Sequence, residues 1–200
     1  FLTYRGGFTI ESVIFFGTKK SGSSRDAIKK AGILGYHTIV LTDSEKQIQD
    51  KSSYPEVDLM LWCDFSNIDK IRELIDYLIK WQINVRAIVS FIDPYCALAA
   101  KVSNEYKLSN FSFQAMEKMQ NKLLCRETLN NSIYNPKYKV LDKNNFQDYD
   151  DISKMFPVVI KYIESNGSRD VYYCNDLDSY QQYRLRCVNL YRQYNRRVVR

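Results

Sequence analysis

The sequence predicts an α/β protein in which a small doubly wound parallel-sheet domain precedes a smaller α+β domain. Two observations lead to this fold class. Apolar β-type runs alternate strictly with helical patterns through the first half, and from Phe111 the pattern changes to a long helix followed by a hairpin. Strict alternation of strand and helix implies right-handed βαβ crossovers and a parallel sheet. We expect the first domain at 10–110 and the second at 111–200, with residues 1–9 as a tail.

The first domain contains four predicted strands and three predicted helices. The apolar runs that predict strands lie at 12–16, 38–42, 58–63 and 85–91. The helical patterns lie at 25–34, 68–81 and 94–106. Gly35 is typical of the residue that ends a helix, and Asp93 is the expected N-cap of the third helix. The apolar residues of the second helix share one face, so we expect that helix to pack on the sheet.

The loop at 17–24 is a candidate ligand loop, because parallel sheets bind ligands outside the carboxyl ends of their strands. It nearly matches the phosphate-loop pattern GxxxxGK[ST], but Ser23 stands where the phosphate-binding lysine is required. It also lacks the second glycine of GxGxxG. We therefore exclude a P-loop nucleotidase and do not favour a nicotinamide dehydrogenase. A flexible βα loop and a substrate-facing loop that begins at Gly17 both remain open.

Two further residues of the first domain bear on its chemistry. Asp93 follows the fourth strand, where it either caps the next helix or faces a ligand amine; the helix cap explains it better. His37 is the only histidine, and it stands at the entry of a strand, opposite the expected ligand edge. A catalytic mechanism that pairs a serine or a cysteine with a histidine would have to use His37, which stands at the wrong end of its strand. A metal site with several histidines is excluded, because the chain has only one.

Composition narrows the class of protein further. The chain has 200 residues, 45% of them hydrophobic, with no apolar run near the roughly 20 residues that a membrane span needs. Five cysteines without a CxxC pair favour free thiols in a reducing cytoplasm. The net charge is +6, and much of it lies in the arginines of the last helical stretch. A solvated helix face explains these arginines better than a nucleic-acid site, which would show salt-dependent association with DNA or RNA.

The second domain begins with a predicted amphipathic helix at 113–129, on which Lys118, Lys122 and Arg126 would share a face. A short strand at 137–141 and a helix at 146–155 follow. The remaining predicted elements are strands at 158–162 and 171–174 and a final helix, capped by Asn175 or Asp176, that runs to about residue 195.

The hairpin of this domain carries the most informative pattern. An apolar strand places Lys161 near its end, a polar loop with one glycine and two serines follows, and a second strand starts at Val171. A cation beside a loop of exposed backbone N–H groups suits a polyphosphate, since both neutralise its charge. A surface hairpin with a polar tip is the alternative.

Three segments, in this order, make the sequence resemble the ATP-grasp ligase superfamily, which includes biotin carboxylase, D-alanine–D-alanine ligase and the L-amino-acid ligases. Phe91-Ile92-Asp93-Pro94-Tyr95 and the helix after it are similar to a strand-end loop of the Rossmann-like domain that precedes the grasp fold. Asn121-Lys122-Leu123 resembles the Asp-Lys segment of the family, with Asn in place of Asp. Pro157-Val158-Val159-Ile160-Lys161, followed after a glycine-containing loop by Val171, resembles the hairpin of the first ATP-grasp subdomain.

The resemblance implies roles for the matching residues. Lys122 and Lys161 would contact the phosphates of ATP, and Val171 would help to line the adenine pocket. The loop that closes over the phosphates would consist of Ser165, Asn166, Gly167 and Ser168. The loop departs from the family pattern in two ways: it has a single glycine, and the negative charges of Glu164 and Asp170 lie beside it.

The resemblance also implies a cytoplasmic enzyme that joins a small carboxylate to an amine or thiol through an acylphosphate, with ATP and Mg²⁺ as cofactors. The Mg²⁺ ligands belong to the second half of the grasp fold, and we expect no metal site in this chain, no activity from it alone and no membrane partner. The resemblance does not identify the carboxylate substrate or the nucleophile that attacks it. It also leaves the oligomeric state open, and a homodimer is one option. The alternative function is a non-catalytic ATP-grasp-like binding module, and a reading frame that stops at Arg200 would favour it.

Overall fold

The computed structural model describes residues 9–141, 149–163, 165, 167, 170–194 and 198–199, with side chains up to Cys187. The strands are β1 (Ile10–Phe16), β2 (His37–Thr42), β3 (Leu59–Trp62), β4 (Ile83–Val89), β5 (Val140–Leu141), β6 (Val158–Tyr162), β7 (Val171–Cys174) and β8 (Val198–Val199). The helices are α1 (Ser23–Ile33), α2 (Glu45–Gln49), α3 (Ile68–Lys80), α4 (Cys96–Glu105), α5 (Phe113–Gln120), α6 (Lys122–Thr128), α7 (Tyr149–Ser153) and α8 (Leu177–Tyr194). The chain divides into two compact units, Phe1–Met116 and Glu117–Arg200.

The first unit is built on a four-stranded sheet in the order β3-β2-β1-β4. All three strand pairs are parallel, as the alternation of strands and helices predicts. Successive strands add outward on both sides of β1, which is the order that places a ligand crevice at the carboxyl ends of the central strands.

Both faces of this sheet are covered by helices. On one face, α3 and α4 contribute Ile71, Ile75 and Val102 to a buried cluster with sheet residues such as Phe16 and Leu41. On the other face, the buried residues come from α1 and from the segment before β3, and they are Ile28, Ala31, Tyr54 and Val57 with Phe15 and Val40 of the sheet. The unit is therefore a three-layer α/β sandwich with a closed hydrophobic core.

A nearly buried ion pair fixes α1 to the segment before β3. Arg25 pairs with Glu56, whose side chain is only 8% exposed, and also donates to the Ser53 carbonyl at 2.9 Å. Burial acts to raise the pKa of Glu56, but the hydrogen bond and the charge of Arg25 outweigh it, so the pKa lies below its usual value. A carboxylate of this kind stabilises the fold above its unfolded-state pKa and loses that contribution as the pH falls through its folded-state pKa.

We therefore expect Glu56→Gln to lower the thermal midpoint of unfolding at about pH 7 and to reduce its further fall between about pH 5 and pH 3. Circular dichroism melts over this pH range measure both effects. Glu45→Gln, which removes an exposed carboxylate from α2, is the control. Equal acid sensitivity in the wild type and in Glu56→Gln would contradict the role of this pair.

The second unit contains a small antiparallel sheet in the order β5-β8-β6-β7. One face of β6 and β7 packs against α7 and α8, and the fully buried residues of this cluster include Ile152, Ile160, Tyr162, Tyr180 and Cys187. Asp176 caps α8, since the backbone N–H of Ser179 donates to its carboxylate at 2.8 Å. The final helix and this cap are therefore as expected. α7 lies within the helix expected at 146–155, and residues 146–148 of that expected helix lie outside the described part of the chain.

The prediction of a single helix at 113–129 is wrong. The chain leaves helical geometry at Asn121, which has φ −94° and ψ 111° and ends α5 before α6 starts. The Asn121 side chain accepts hydrogen bonds from the N–H groups of Leu123 and Leu124 at 3.1 and 3.0 Å, so it is the N-cap of α6. An asparagine that binds backbone N–H groups locally can interrupt a continuous amphipathic pattern. As a result, Lys122 occupies the first position of a new helix, and the expected shared face with Lys118 is lost.

The structure differs from the sequence prediction in three further respects, all of which concern short elements. The sequence pattern does not predict α2 or the two-residue strand β8, which lies between β5 and β6. Asp93 does not cap α4; it is the first residue of a 3-10 turn, Asp93–Tyr95, that precedes this helix. Pro94 suits this tight turn because its ring fixes φ near the value that the turn requires. Within the described part of the chain, no helix is both long and apolar enough to cross a bilayer.

Candidate functional site

The hairpin of β6 and β7 has one buried face and one open face. Val158, Ile160 and Tyr162 of β6 are at most 8% exposed and belong to the core. The alternate residues, Val159 and Lys161, point to the opposite face because successive side chains of a strand alternate. The open face therefore carries the one lysine of this strand.

Residues of β7 extend this open face. Val159 pairs with Tyr173 and Lys161 pairs with Val171, so the four side chains lie side by side on the same face. Tyr173 is 58% exposed and Val171 is 41% exposed, so this face presents aromatic and apolar surface to solvent. Lys161 is half-buried. The surface can accept a flat apolar group, and its ammonium can neutralise an anion at the loop end.

A second lysine reaches the same end of β6. The Lys122 ammonium donates to the Ser165 carbonyl at 2.7 Å, to the Ser165 hydroxyl at 3.2 Å and to the Ile163 carbonyl at 3.4 Å. Its backbone N–H also donates to the Ile163 carbonyl, at 3.2 Å. The sequence suggests a role for Lys122, but its contact with the hairpin loop depends on the helix break at Asn121.

The structure describes four residues of the hairpin loop between β6 and β7, which are Ile163, Ser165, Gly167 and Asp170. Gly167 has φ +60°, a conformation that glycine adopts without strain, and a Cβ atom there would meet nothing within 4 Å. Asp170 also has a positive φ, and its carboxylate accepts a hydrogen bond from the Tyr172 hydroxyl at 3.2 Å. Ser165 contacts Lys122, as described above. Asn166 and Ser168, which the sequence also assigns to the site, lie outside the described residues.

The carboxyl edge of the parallel sheet in the first unit is a separate candidate. Gly17 ends β1 with φ +72°, and a Cβ atom there would lie 3.0 Å from the ring of Tyr95. The Tyr95 hydroxyl donates to both oxygens of Asp43, at 2.9 and 3.0 Å, and Phe65 packs edge-on against the Tyr95 ring. Asp93 is exposed at the same edge.

The sequence interpretation includes Gly17 and Asp93 but misses Tyr95 and Asp43. Asp43 directly follows β2, so the rule that ligand residues follow parallel strands would have drawn attention to it. Burial and the hydrogen bond to Asp43 raise the pKa of Tyr95 to about 12, so its hydroxyl stays protonated and donates. Burial likewise raises the pKa of Cys63 to about 11, which makes this thiol a poor nucleophile.

We expect Gly17→Ala to destabilise the chain by about 2 kcal/mol, because alanine adds left-handed backbone strain and a clash with the Tyr95 ring. Gly22→Ala is a matched control, since Gly22 has φ +89° but open space around it. Denaturant unfolding measures the difference between the two variants. Equal losses of stability would show that the contact with Tyr95 does not constrain position 17.

Comparisons with known proteins identify the fold. No family model matches the sequence, and no curated protein matches it. Among solved structures, the L-amino acid ligase of Bacillus licheniformis superposes with a TM-score of 0.71 at 15% identity, over 94% of this chain and 45% of that one. N5-carboxyaminoimidazole synthase of Aspergillus clavatus superposes with a TM-score of 0.62 at 15% identity, over 96% and 46%. The biotin carboxylase domain of the 2-oxoglutarate carboxylase from Hydrogenobacter thermophilus gives 0.62 at 14% identity, over 94% and 43%.

The chain has the fold of the N-terminal part of ATP-grasp enzymes. This confirms, at the level of the fold, both the ATP-grasp resemblance and the fold class that the sequence predicts. The chain spans less than half the length of the three ATP-grasp structures. The Aspergillus enzyme was solved with ADP and 5-aminoimidazole ribonucleotide, and the Hydrogenobacter domain with MgADP, ADP and bicarbonate.

Proposed function

We propose that this chain is the N-terminal portion of an ATP-dependent carboxylate–amine or carboxylate–thiol ligase that acts through an acylphosphate. In this proposal, residues 10–110 form the Rossmann-like domain before the grasp fold, and 111–200 form the first ATP-grasp subdomain. The observation that carries it is the contact of the Lys122 ammonium with the glycine-containing loop that directly follows β6, the strand that carries Lys161 on its open face. The ATP-grasp fold of the chain is consistent with that reading.

The residues of the second unit have distinct roles in this proposal. Val159, Val171 and Tyr173 form the apolar surface on which the adenine lies. Lys161 and Lys122 neutralise the phosphates, and the backbone N–H groups of the loop around Gly167 approach them closely. Ser165, Asn166 and Ser168 complete this loop. Preorganised positive charge of this kind is what phosphoryl transfer mainly requires from a protein.

The residues of the first unit would bind the second substrate. Gly17 and Asp93 stand at the carboxyl edge of the parallel sheet, where α/β sheets bind ligands. An exposed carboxylate such as Asp93 suits an amine. Tyr95 and Asp43 belong to the same edge and hold its loops together.

The ATP-grasp fold also implies Mg²⁺. Among the described residues, no group of three or more His, Cys, Asp or Glu side chains can hold a metal ion. Mg²⁺ at a nucleotide site takes only one or two protein carboxylates beside the phosphates, and we derive no step of the reaction through a metal. We propose that the Mg²⁺ ligands belong to the second half of the grasp fold.

The proposed reaction has two steps. A carboxylate oxygen attacks the γ-phosphorus of ATP, which forms an acylphosphate and releases ADP. An amine or thiol then attacks the acyl carbon, and inorganic phosphate leaves. In this proposal, the second unit of the chain holds ATP in position for the attack by the carboxylate.

The test is a substrate screen with the full-length protein that carries this chain. ATP, Mg²⁺ and a panel of carboxylates are incubated with hydroxylamine, which converts an acylphosphate to a hydroxamate. Carboxylate-dependent ADP release with hydroxamate formation supports the ligase. ATP binding without carboxylate-dependent ADP release across the panel would favour a non-catalytic module instead.

A further inference from the structure

The turn after α6 exposes two large hydrophobic side chains. Ile133 is 90% exposed and Tyr134 is 84% exposed, and no other large hydrophobic side chain in the described part of the chain is as exposed as these two. Leu129, whose carbonyl accepts from the N–H of Ser132 at 2.8 Å, ends α6 beside them and is also exposed. Single exposed apolar residues are common on protein surfaces, but a group of neighbours marks an interaction site.

Hydrogen bonds hold this turn in one conformation. The backbone N–H of Asn135 donates to the Ser132 carbonyl at 3.0 Å, which closes a four-residue turn with the two exposed residues at its centre. The Ser132 hydroxyl accepts from the N–H of Tyr134 at 3.2 Å. The side-chain amide of Asn135 donates to the Arg126 carbonyl of α6 at 2.9 Å. The exposed side chains therefore stand on an ordered support, which lowers the entropy that binding must overcome.

The turn itself does not explain the residue types at its centre. Glycine, proline, asparagine, aspartate and serine are the residues that favour such positions. The β-branched Ile133 and the aromatic Tyr134 gain nothing from burial there, since both face solvent among the described residues. Tyrosine is, however, enriched at the centre of protein–protein contacts. The choice of residues therefore favours a contact with another part of the protein.

The direction of β8 indicates which part of the protein reaches this turn. β8 is antiparallel to β5, with Val199 opposite Val140. β8 therefore directs the chain that follows it toward the segment that precedes β5, and that segment contains the turn. Tyr134 stands six residues before Val140, which corresponds to a reach of at most about 22 Å.

We propose that the turn at 132–135 is a docking site for the second half of the same protein, which packs an apolar pocket over Ile133 and Tyr134. The inference rests on the proposed function in one respect, namely that this chain is the N-terminal portion of a longer ligase. The three superposed structures each extend well beyond the matched part, since the chain spans less than half of their length. The pocket also bonds the Tyr134 hydroxyl, because a buried tyrosine usually keeps a hydrogen-bond partner.

The test compares the double variant Ile133→Ser, Tyr134→Ser in the full-length protein and in this 200-residue chain. In the full-length protein we expect the thermal midpoint of unfolding to fall by about 4 °C or more, because the contact loses two buried hydrophobic side chains. In this chain, where both side chains face solvent, the midpoint should change by less than about 1 °C. The matched control is Ile33→Ser, Leu34→Ser, an exposed pair at the end of α1 that should shift both proteins equally.

Amide hydrogen exchange of residues 130–136, measured by mass spectrometry, reads the same contact without a substitution. It should be at least about tenfold slower in the full-length protein than in this chain. Unchanged exchange of β6 shows that the sheet is folded in both proteins.

Equal melting of the full-length variant and the full-length wild type would overturn the docking, and so would equal exchange of 130–136 in the two proteins. Sedimentation velocity tests a second copy as the occupant of the turn. Self-association of this chain that the double variant abolishes would also overturn the proposal. Docking in a full-length protein that shows no carboxylate-dependent ADP release would support this site and contradict only the proposed reaction.

Discussion

Replacing Lys161 with alanine is expected to abolish ATP-dependent turnover of the full-length ligase and to leave its fold intact. Lys161 lies half-buried on the open face of the second sheet, so its removal creates no cavity in the core. If its ammonium neutralises charge on the phosphates, the rate should fall at least about a hundredfold. ADP release measures the rate, and a thermal melt checks the fold.

Lys154→Ala is the control for this experiment, because Lys154 is exposed in the same unit. Turnover of Lys154→Ala should stay close to that of the wild type. If the Lys161→Ala enzyme retains activity within about twofold of the wild type, Lys161 does not neutralise the phosphates as proposed. An equal loss in both variants would point to a general effect of charge.

Gly167→Val is expected to weaken ATP binding by the full-length ligase about tenfold or more. Gly167 has φ +60°, which valine adopts only with strain of about 1–3 kcal/mol, so the loop should change its conformation. The side chain itself would meet open space, so a loss of affinity reports the path of the backbone and not a clash within the protein. Isothermal titration calorimetry measures the affinity.

A matched control is available in the first unit. Gly35→Val places the same side chain at φ +87°, again in open space, but at the end of α1. It should cost stability without altering the affinity for ATP. Unchanged affinity in Gly167→Val would show that the loop backbone does not approach the phosphates.

The parallel sheet could be predicted from the sequence because its signal is local and repeated. The two central strands, β1 and β2, are largely apolar runs that are buried on both faces, such as Phe15 and Phe16 in β1. Helices with buried apolar residues, such as Ile71 and Ile75 of α3, alternate with the strands along the chain. Chain order and handedness then leave few arrangements of four such strands. The structure has the parallel arrangement that this pattern predicts.

The elements that the sequence does not predict depend on local capping or on distant pairing. The chain around Asn121 has apolar residues at helical spacing on both sides, and only the hydrogen bonds of its side chain reveal the break. β8 consists of two valines whose partners, in β5 and β6, are far away in the sequence; Val199, for example, pairs with Val140 and with Lys161. A two-residue strand has no periodicity to detect.

The residues of the candidate site also fall into two groups, those that the sequence predicts and those that it does not. The hairpin with Lys161 and Gly167 follows from residue types and spacing, so the sequence alone is enough to propose it. The contact of Lys122 with Ser165 and the pair formed by Tyr95 and Asp43 join residues about 40 to 50 positions apart. Such contacts arise from tertiary packing, which a pattern along one chain does not encode.

The central claim is that the end of β6 and its loop bind the phosphates of ATP. A crystal structure of the full-length protein with ADP tests it most directly. We expect phosphate oxygens within hydrogen-bonding distance of Lys161 Nζ and of the backbone N–H of Gly167, with the adenine on the face that carries Val171. Phosphates bound instead at the 17–24 loop of the first unit, with the hairpin facing solvent, would contradict the account.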